Sequence, residues 1–162
     1  MKAKAYPFVP SSVAQMEDGM FWDIPLASGR FSAGIVLQRM PTNGPGSRSM
    51  FCAGLIDWSG DAPPASDTLQ SAKLIAQGFV HLRTITRNRG LVRGKVDLGS
   101  IGIEPILMRD SHDGPNVRLI KGYIDCGPAR AVQGWRNLPV AATWGFGVIK
   151  SLAEKTFDAP EA

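Results

Sequence analysis

The stretch from Gly19 to Leu37, Gly-Met-Phe-Trp-Asp-Ile-Pro-Leu-Ala-Ser-Gly-Arg-Phe-Ser-Ala-Gly-Ile-Val-Leu, predicts a β-hairpin. Its first arm, Met20 to Leu26, carries apolar residues at the two-residue period of a strand. Its second arm, Phe31 to Leu37, is rich in the aromatic and β-branched residues that suit a pleated surface. Pro25 fits an edge or a bulge, and Gly34 indicates a bend or the close approach of another backbone. We therefore expect the hairpin to begin a strongly curved sheet.

The size and composition of the chain limit the number of domains that it can form. A chain of 162 residues, of which 44% are hydrophobic and 20% charged, has room for one globular domain with a real core. We expect residues 1–15 to be a poorly structured leader, residues 16–157 to form the domain, and residues 158–162 to be a frayed tail.

Downstream of the hairpin, many short strand patterns and two helical patterns follow. Apolar spacing predicts one helix from Ser66 to Gly78 and a second from about Gly145, capped by Thr143, to Phe157. The predicted strands are Phe51–Trp58, Phe79–Thr86, Leu91–Leu98, Ile103–Met108 and Val117–Asp125. The pattern favours an α+β fold, a single domain with a bent, mostly antiparallel sheet or a small, partly open barrel plus two helices.

The excess positive charge of the chain is local. Residues 81–95 contain five Lys or Arg and no Asp or Glu, whereas the rest of the chain is close to balanced. If strands 79–86 and 91–98 form a hairpin, their alternation places a basic set on one face, namely Arg83, Arg87, Arg93 and Lys95. Such a face is ordinarily just the wet side of an antiparallel sheet. As a binding surface it favours an acidic protein over a nucleic acid, because it lacks interleaved aromatic residues for base stacking.

Few residues suggest catalysis or metal binding. Asp110 to Asp113 bring a carboxylate, a hydroxyl and an imidazole into one segment, but adjacent residues rarely converge on one point, and an exposed turn is the better interpretation. Cys52 or Cys126 could pair with His81 or His112 as nucleophile and base, without any supporting motif. We expect no catalytic residue, no metal and no cofactor.

The sequence also bears on compartment and redox state. No apolar run approaches the roughly 20 residues that span a bilayer, and the residues after Lys2 and Lys4 lack the apolar core of a secretory signal. Two cysteines without metal-ligand or redox spacing are expected to be reduced, partly buried thiols. These features predict a cytoplasmic protein.

A family resemblance is carried by the hairpin and by the C-terminal part of the chain. Asp18 to Leu26, then Gly29-Arg30-Phe31 and Gly34-Ile35-Val36-Leu37, resemble the opening signature of the immunity protein 26 family of bacterial polymorphic-toxin systems. The stretch Leu138 to Trp144, which leads into a terminal helix, is similar to the C-terminal motif of that family. A Gly-Arg-Trp-like step of the family appears here as Gly90-Leu91-Val92-Arg93.

The resemblance implies a binding function. Such immunity proteins neutralise a cognate toxin domain by stoichiometric association, which requires no catalysis. We expect Arg83, Arg87, Arg93 and Lys95 to belong to the interface and to face an acidic toxin surface. Two alternatives stay open: a small nucleic-acid-associated barrel that uses the same basic face, and a small hydrolase or ligand-binding domain whose site is assembled only in three dimensions.

Overall fold

Two β-sheets and three helices make up the computed structural model, which describes residues 4–41 and 49–158. The larger sheet has the strand order β5-β1-β2-β3-β4-β9 and the smaller has the order β6-β7-β8. Every strand pair is antiparallel except β4 with β9. The strands are β1 Met20–Pro25, β2 Phe31–Arg39, β3 Met50–Gly60, β4 Leu74–His81, β5 Val92–Lys95, β6 Leu107–Arg109, β7 Arg118–Lys121, β8 Ile124–Pro128 and β9 Thr143–Trp144. The helices are α1 Arg83–Thr86, α2 Leu98–Ile101 and α3 Val148–Phe157. The predicted α+β class is confirmed, and the sheet does not close into a barrel.

The predicted hairpin forms two neighbouring inner strands of the larger sheet, β1 and β2. β1 and β2 pair in one register from Phe21 opposite Ile35 to Pro25 opposite Phe31. A Cβ atom added at Gly34 would lie 2.2 Å from the indole ring of Trp22, so only glycine lets the two strands approach with that ring between them. The group that approaches Gly34 is therefore the Trp22 side chain and not another backbone, as the sequence had suggested.

Both faces of the larger sheet are buried. On one face, Trp22 and Ile24 pack with Phe51 and with two residues of α3, Ile149 and Ala153. On the other face, Phe21 and Ile35 alternate with that first set, because successive strand residues point to opposite sides, and they pack with Cys52, Leu69 and Ile103. The double burial explains why β1 and β3 read as nearly continuous apolar runs.

Two of the three strands of the smaller sheet, β7 and β8, arise from a stretch that was predicted to be a single strand. Val117–Asp125 turns at Gly122, which has a φ of +64°, so β7 and β8 form a tight hairpin instead. The backbone N–H of Tyr123 in that turn donates to Oε1 of Gln38 on β2 at 2.7 Å, and the backbone N–H of Ile106 donates to Oε1 of Gln77 on β4 at 2.6 Å. These two glutamines tie the smaller sheet to the larger one.

The helix predicted from Ser66 to Gly78 is wrong. Only Ser66–Leu69 is helical, as one 3-10 turn, and the chain then enters β4 at Leu74. β4 pairs with β3 from Met50 opposite His81 to Ile56 opposite Leu74. Backbone pairing with a buried neighbouring strand has overridden the helical spacing of the apolar residues.

The predicted hairpin of Phe79–Thr86 with Leu91–Leu98 is also wrong. β4 ends at His81, and residues 83–86 form α1, whose Ile85 packs into the core beside Leu82. β5 pairs with β1 at the far edge of the sheet and not with β4. A helical turn buries Leu82 and Ile85 on the same side, which an extended strand could not do.

The two ends of the described chain pack on the sheet. Phe8 forms a bridge with Val92 of β5, with backbone hydrogen bonds in both directions. α3 matches the predicted terminal helix, but it begins at Val148 after Gly147, and Thr143 lies in β9 instead of capping it. Within residues 4–41 and 49–158, no helix is long and apolar enough to cross a membrane.

Candidate partner-binding surface

The four basic residues predicted to share one face do not lie on one hairpin. Arg93 and Lys95 belong to β5, at the edge of the sheet next to β1, whereas Arg83 and Arg87 belong to the segment that follows β4. The two pairs therefore have different surroundings, and their roles have to be argued separately.

Arg93 is held by an internal ion pair. Its Nε lies 2.7 Å from Oδ2 of Asp23 on β1, and the Asp23 side chain is only 2% exposed. The other carboxylate oxygen of Asp23 accepts a hydrogen bond from the backbone N–H of Leu91 at 2.7 Å. Arg93 thus neutralises a buried carboxylate and fixes β5 against β1, which gives it a structural role.

Lys95 is the last residue of β5 and lies opposite Met20, the first residue of β1. Its Nζ is 3.7 Å from Oε1 of Glu17, and both side chains are 46% exposed. Exposed pairs of this kind contribute little to stability. Glu17 also pairs with Lys4 at 3.8 Å, so the single carboxylate offsets the charge of Lys95 only in part.

Arg83 and Arg87 stay together, because Arg83 begins α1 and Arg87 is its C-cap residue four positions later, and both are exposed whereas Ile85 between them is buried. Arg89 follows in the turn to β5 and is also exposed, with a φ of +60°. We call Arg83, Arg87 and Arg89 the α1 basic cluster. Within the described residues, none of the three has a carboxylate within ion-pair distance. Their charge is therefore available to a partner.

An aromatic ring lies under this cluster. The guanidinium carbon of Arg87 is 4.9 Å from the ring centroid of Phe146, and the imidazole of His81 meets the same ring edge-on at 5.5 Å. The side-chain amide of Asn88 donates to the backbone carbonyl of Phe146 at 2.6 Å and to that of Thr84 at 2.8 Å. These contacts hold the loop before α3 against α1 and restrict the orientation of Arg87.

The cysteine and histidine residues do not form a recognisable reactive site. Cys52 is fully buried, and burial, followed by the nearby charge of Asp18, raises the pKa of its thiol to about 12. A thiol with so high a pKa is a poor nucleophile near neutral pH. Cys126 is exposed on β8. The imidazole of His81 is engaged elsewhere, because its Nδ1 accepts a hydrogen bond from the backbone N–H of Arg83 at 3.0 Å. The described part of the chain contains no cluster of three or more metal-ligating side chains.

Sequence reasoning identified part of this surface and missed the rest. The run of uncompensated charge indicated Arg83 and Arg87, but the strand alternation passed over Arg89 and added Arg93 and Lys95. Phe146 fell within the predicted terminal helix, and nothing near it in the sequence links it to the basic run. Only the packing of α1 against the loop before α3 brings them together.

The β1 and β2 residues behind the family resemblance lie mostly inside the molecule, whereas Asp18, Gly29, Arg30 and the stretch 138–144 are exposed or half-buried. Trp22 and Ile24 are core residues, Asp23 is paired internally, and Gly34 makes room for an indole ring. A signature of this kind describes a fold and leaves the binding surface to be found elsewhere. Comparisons of the chain with known protein families, curated proteins and solved structures gave no match. The function is therefore argued from the exposed surface.

Proposed function

We propose that this protein is an immunity protein that neutralises a toxin domain by stoichiometric binding, and that the α1 basic cluster is the centre of the interface. The observation that carries the proposal is the combination of three exposed arginines, free of ion pairs within the described residues, with the Phe146 ring beneath Arg87. The resemblance of the hairpin to the immunity protein 26 family supplies the class of partner.

Arginine and aromatic side chains are the residues that most often dominate the binding energy of an interface. Arg87 is already stacked on Phe146, so it loses less conformational freedom on binding than a free surface arginine would. Arg83 and Arg89 flank it and extend the positive potential. The surface can thus recognise carboxylates of a partner without any chemical step.

The expected partner surface is acidic. Charge complementarity accelerates the encounter of two proteins and makes the association rate depend on ionic strength. A stable interface buries about 1,200–2,000 Å² in total, so the contact must extend beyond the α1 basic cluster onto neighbouring surface. Arg93 is expected to affect binding only through the position of β5, because its guanidinium is engaged by Asp23.

Nucleic acid is the second candidate partner. Phe146 supplies an aromatic ring beside the arginines, which the sequence pattern had not indicated, and stacking beside positive charge is how many proteins hold single strands. The guanidinium of Arg87 already lies over this ring and the imidazole of His81 is in T-shaped contact with it, however, so a base would compete with both groups. This geometry favours a protein partner.

The first experiment identifies the partner. The tagged protein is recovered from lysate of its source organism with nuclease added, and co-purifying polypeptides are identified by mass spectrometry. A near-stoichiometric polypeptide that kills cells when it is expressed without this protein would support the proposal. Recovery of nucleic acid only when nuclease is omitted, with loss at high salt, would overturn it in favour of the second candidate.

The second experiment tests the surface with the partner in hand. A variant with Arg83→Glu and Arg87→Glu is compared with a control that reverses Lys73 and Lys155, two exposed lysines elsewhere, so that both variants have the same net charge. We expect the first variant alone to slow association by about tenfold or more at low salt. Equal association rates for both variants would rule out the α1 basic cluster as the interface.

A further inference from the structure

An open groove lies beside the smaller sheet, next to the loop that precedes β7. Its volume is about 670 Å³, within the range of pockets that hold small organic ligands. Its walls combine apolar and charged groups, and the residues that line it include Asp113, Pro115, Val117, Arg130, Trp135 and Arg136. The described contacts of the α1 basic cluster do not include any of these residues.

The indole ring of Trp135 organises the positive charge around this groove. The guanidinium of Arg136 lies 4.5 Å from the ring centroid, and that of Arg109 lies 5.9 Å away. Arg109 is fixed in turn, because its Nε donates to the carbonyl of Leu138 at 2.9 Å and its Nη1 donates to the carbonyl of His112. A guanidinium that is pre-positioned on an aromatic ring loses less entropy when it binds an anion.

Arg130 adds a second cation to the wall. It is exposed, and within residues 4–41 and 49–158 it has no carboxylate within ion-pair distance. Beside it, Gly114 has a φ of +131° and no side chain to narrow the opening. The groove therefore presents two guanidinium groups. That of Arg130 has no carboxylate partner among the described residues, and that of Arg136 is weakly paired.

The weak pair of Arg136 is with Asp113. The two groups are 3.7 Å apart, and their side chains are 69% and 73% exposed. An ion pair in such open surroundings contributes at most about 1 kcal/mol. The carboxylate of Asp113 thus stands where an external anion would bind, and it can be displaced at little cost.

We propose that this groove binds a small organic phosphate monoester. The phosphate group would displace Asp113 and bind Arg130 and Arg136 together, while the organic part would rest on Pro115 and the buried Val117 beside the Trp135 ring. A phosphate monoester carries a charge of about −1.5 to −2 near pH 7, so it competes with an intramolecular carboxylate better than another carboxylate does. Planar guanidinium groups also match phosphate oxygens in bidentate geometry. The inference is independent of the toxin-binding proposal.

The test uses the full-length protein alone and follows the amide signals in NMR titrations. The probes are phenyl phosphate, inorganic phosphate, phenol and a phosphotyrosine peptide. We expect phenyl phosphate to shift the amide of Gly114 and the indole N–H of Trp135 saturably, inorganic phosphate to do so more weakly, and phenol to have no effect. Absence of a saturable shift with phenyl phosphate, or shifts located elsewhere, would overturn the proposal. Much tighter binding of the phosphopeptide would assign the groove to a phosphorylated protein and overturn the small-ligand assignment.

Three variants sharpen the test. Replacing Arg130 and Arg136 by Gln should weaken phenyl phosphate binding at least about tenfold, as expected for lost charge-assisted hydrogen bonds. Asp113→Asn should strengthen it about two- to fivefold, because the competing charge is removed while Asn keeps the oxygen that accepts the Gly114 N–H. Arg118→Gln is the control, since Arg118 is paired with Asp125 outside the groove. Equal affinity in all three variants would exclude the groove as the site.

Discussion

Nε of Arg93 on β5 lies 2.7 Å from Oδ2 of Asp23 on β1, and the carboxylate is almost completely buried. We expect Arg93→Ala to lower the free energy of unfolding by about 3 kcal/mol, because it leaves a buried charge without its counter-ion. Urea unfolding followed by circular dichroism measures this. Arg83→Ala, which removes an exposed arginine without an ion pair in the described residues, is the control and should change stability by no more than about 0.5 kcal/mol.

Removing both members of that pair gives a second expectation for the same site. A double variant with Asp23→Leu and Arg93→Met should be more stable than Arg93→Ala, because no unpaired charge remains in the core. The single variants Asp23→Leu and Arg93→Met complete the comparison. If their separate losses of stability add up to the loss in the double variant, Asp23 and Arg93 do not interact, and the structural role assigned to Arg93 is wrong.

Gly34→Ala tests the close approach of the hairpin strands. The added methyl group would lie 2.2 Å from the Trp22 ring, and relieving such a clash in a packed core costs about 1–3 kcal/mol. The matched background is Trp22→Phe, in which the smaller ring leaves room for the methyl group. Thermal or urea unfolding should show a smaller penalty for Gly34→Ala in that background, and an unchanged penalty would contradict the packing described for β1 and β2.

The success of the sequence prediction followed the range of the interactions. The hairpin and α3 were predicted because two-residue alternation, Gly34 and an amphipathic stripe are visible within each segment. The stretch from Ser66 to Leu98 was mispredicted, because β4 and β5 are defined by pairing with β3 and β1, far away in the sequence. For the same reason the charge run indicated Arg83 and Arg87 but could not reveal Phe146 beneath them.

The two thiols should differ sharply in reactivity. Cys126 is exposed on β8, whereas Cys52 is fully buried between β2 and β4. Labelling with a thiol reagent under native conditions should therefore proceed with one fast phase and one slow phase, and the slow phase should speed up in denaturant as the protein opens. Cys126→Ser should abolish only the fast phase. Rapid labelling of both cysteines in the native protein would show that the core around Cys52 is open.

Stability should fall at alkaline pH because of the same buried thiol. Burial raises the pKa of Cys52 from 9.0 to about 12 and also raises the pKa of Tyr123 above its ordinary value. Both groups ionise more easily once the chain unfolds, so the unfolded state binds fewer protons than the folded state as pH rises above about 9, and the free energy of unfolding decreases there. The stabilisation is complete below that pH and is lost as the pH approaches 12.

The size of this effect can be measured by comparing the wild type with Cys52→Ala. At about pH 10, one unit above the ordinary pKa of a thiol, ionisation of Cys52 in the unfolded chain should cost the wild type about 1 kcal/mol relative to neutral pH. Cys52→Ala should lose that much less stability over the same interval, although it starts from a lower value because of the cavity it leaves. Urea unfolding at the two pH values gives both numbers, and the remaining alkaline loss in Cys52→Ala includes the contribution of Tyr123. If the wild type and the variant lost equal stability, Cys52 would ionise as easily in the folded state as in the unfolded chain, contrary to its burial in the core of the larger sheet.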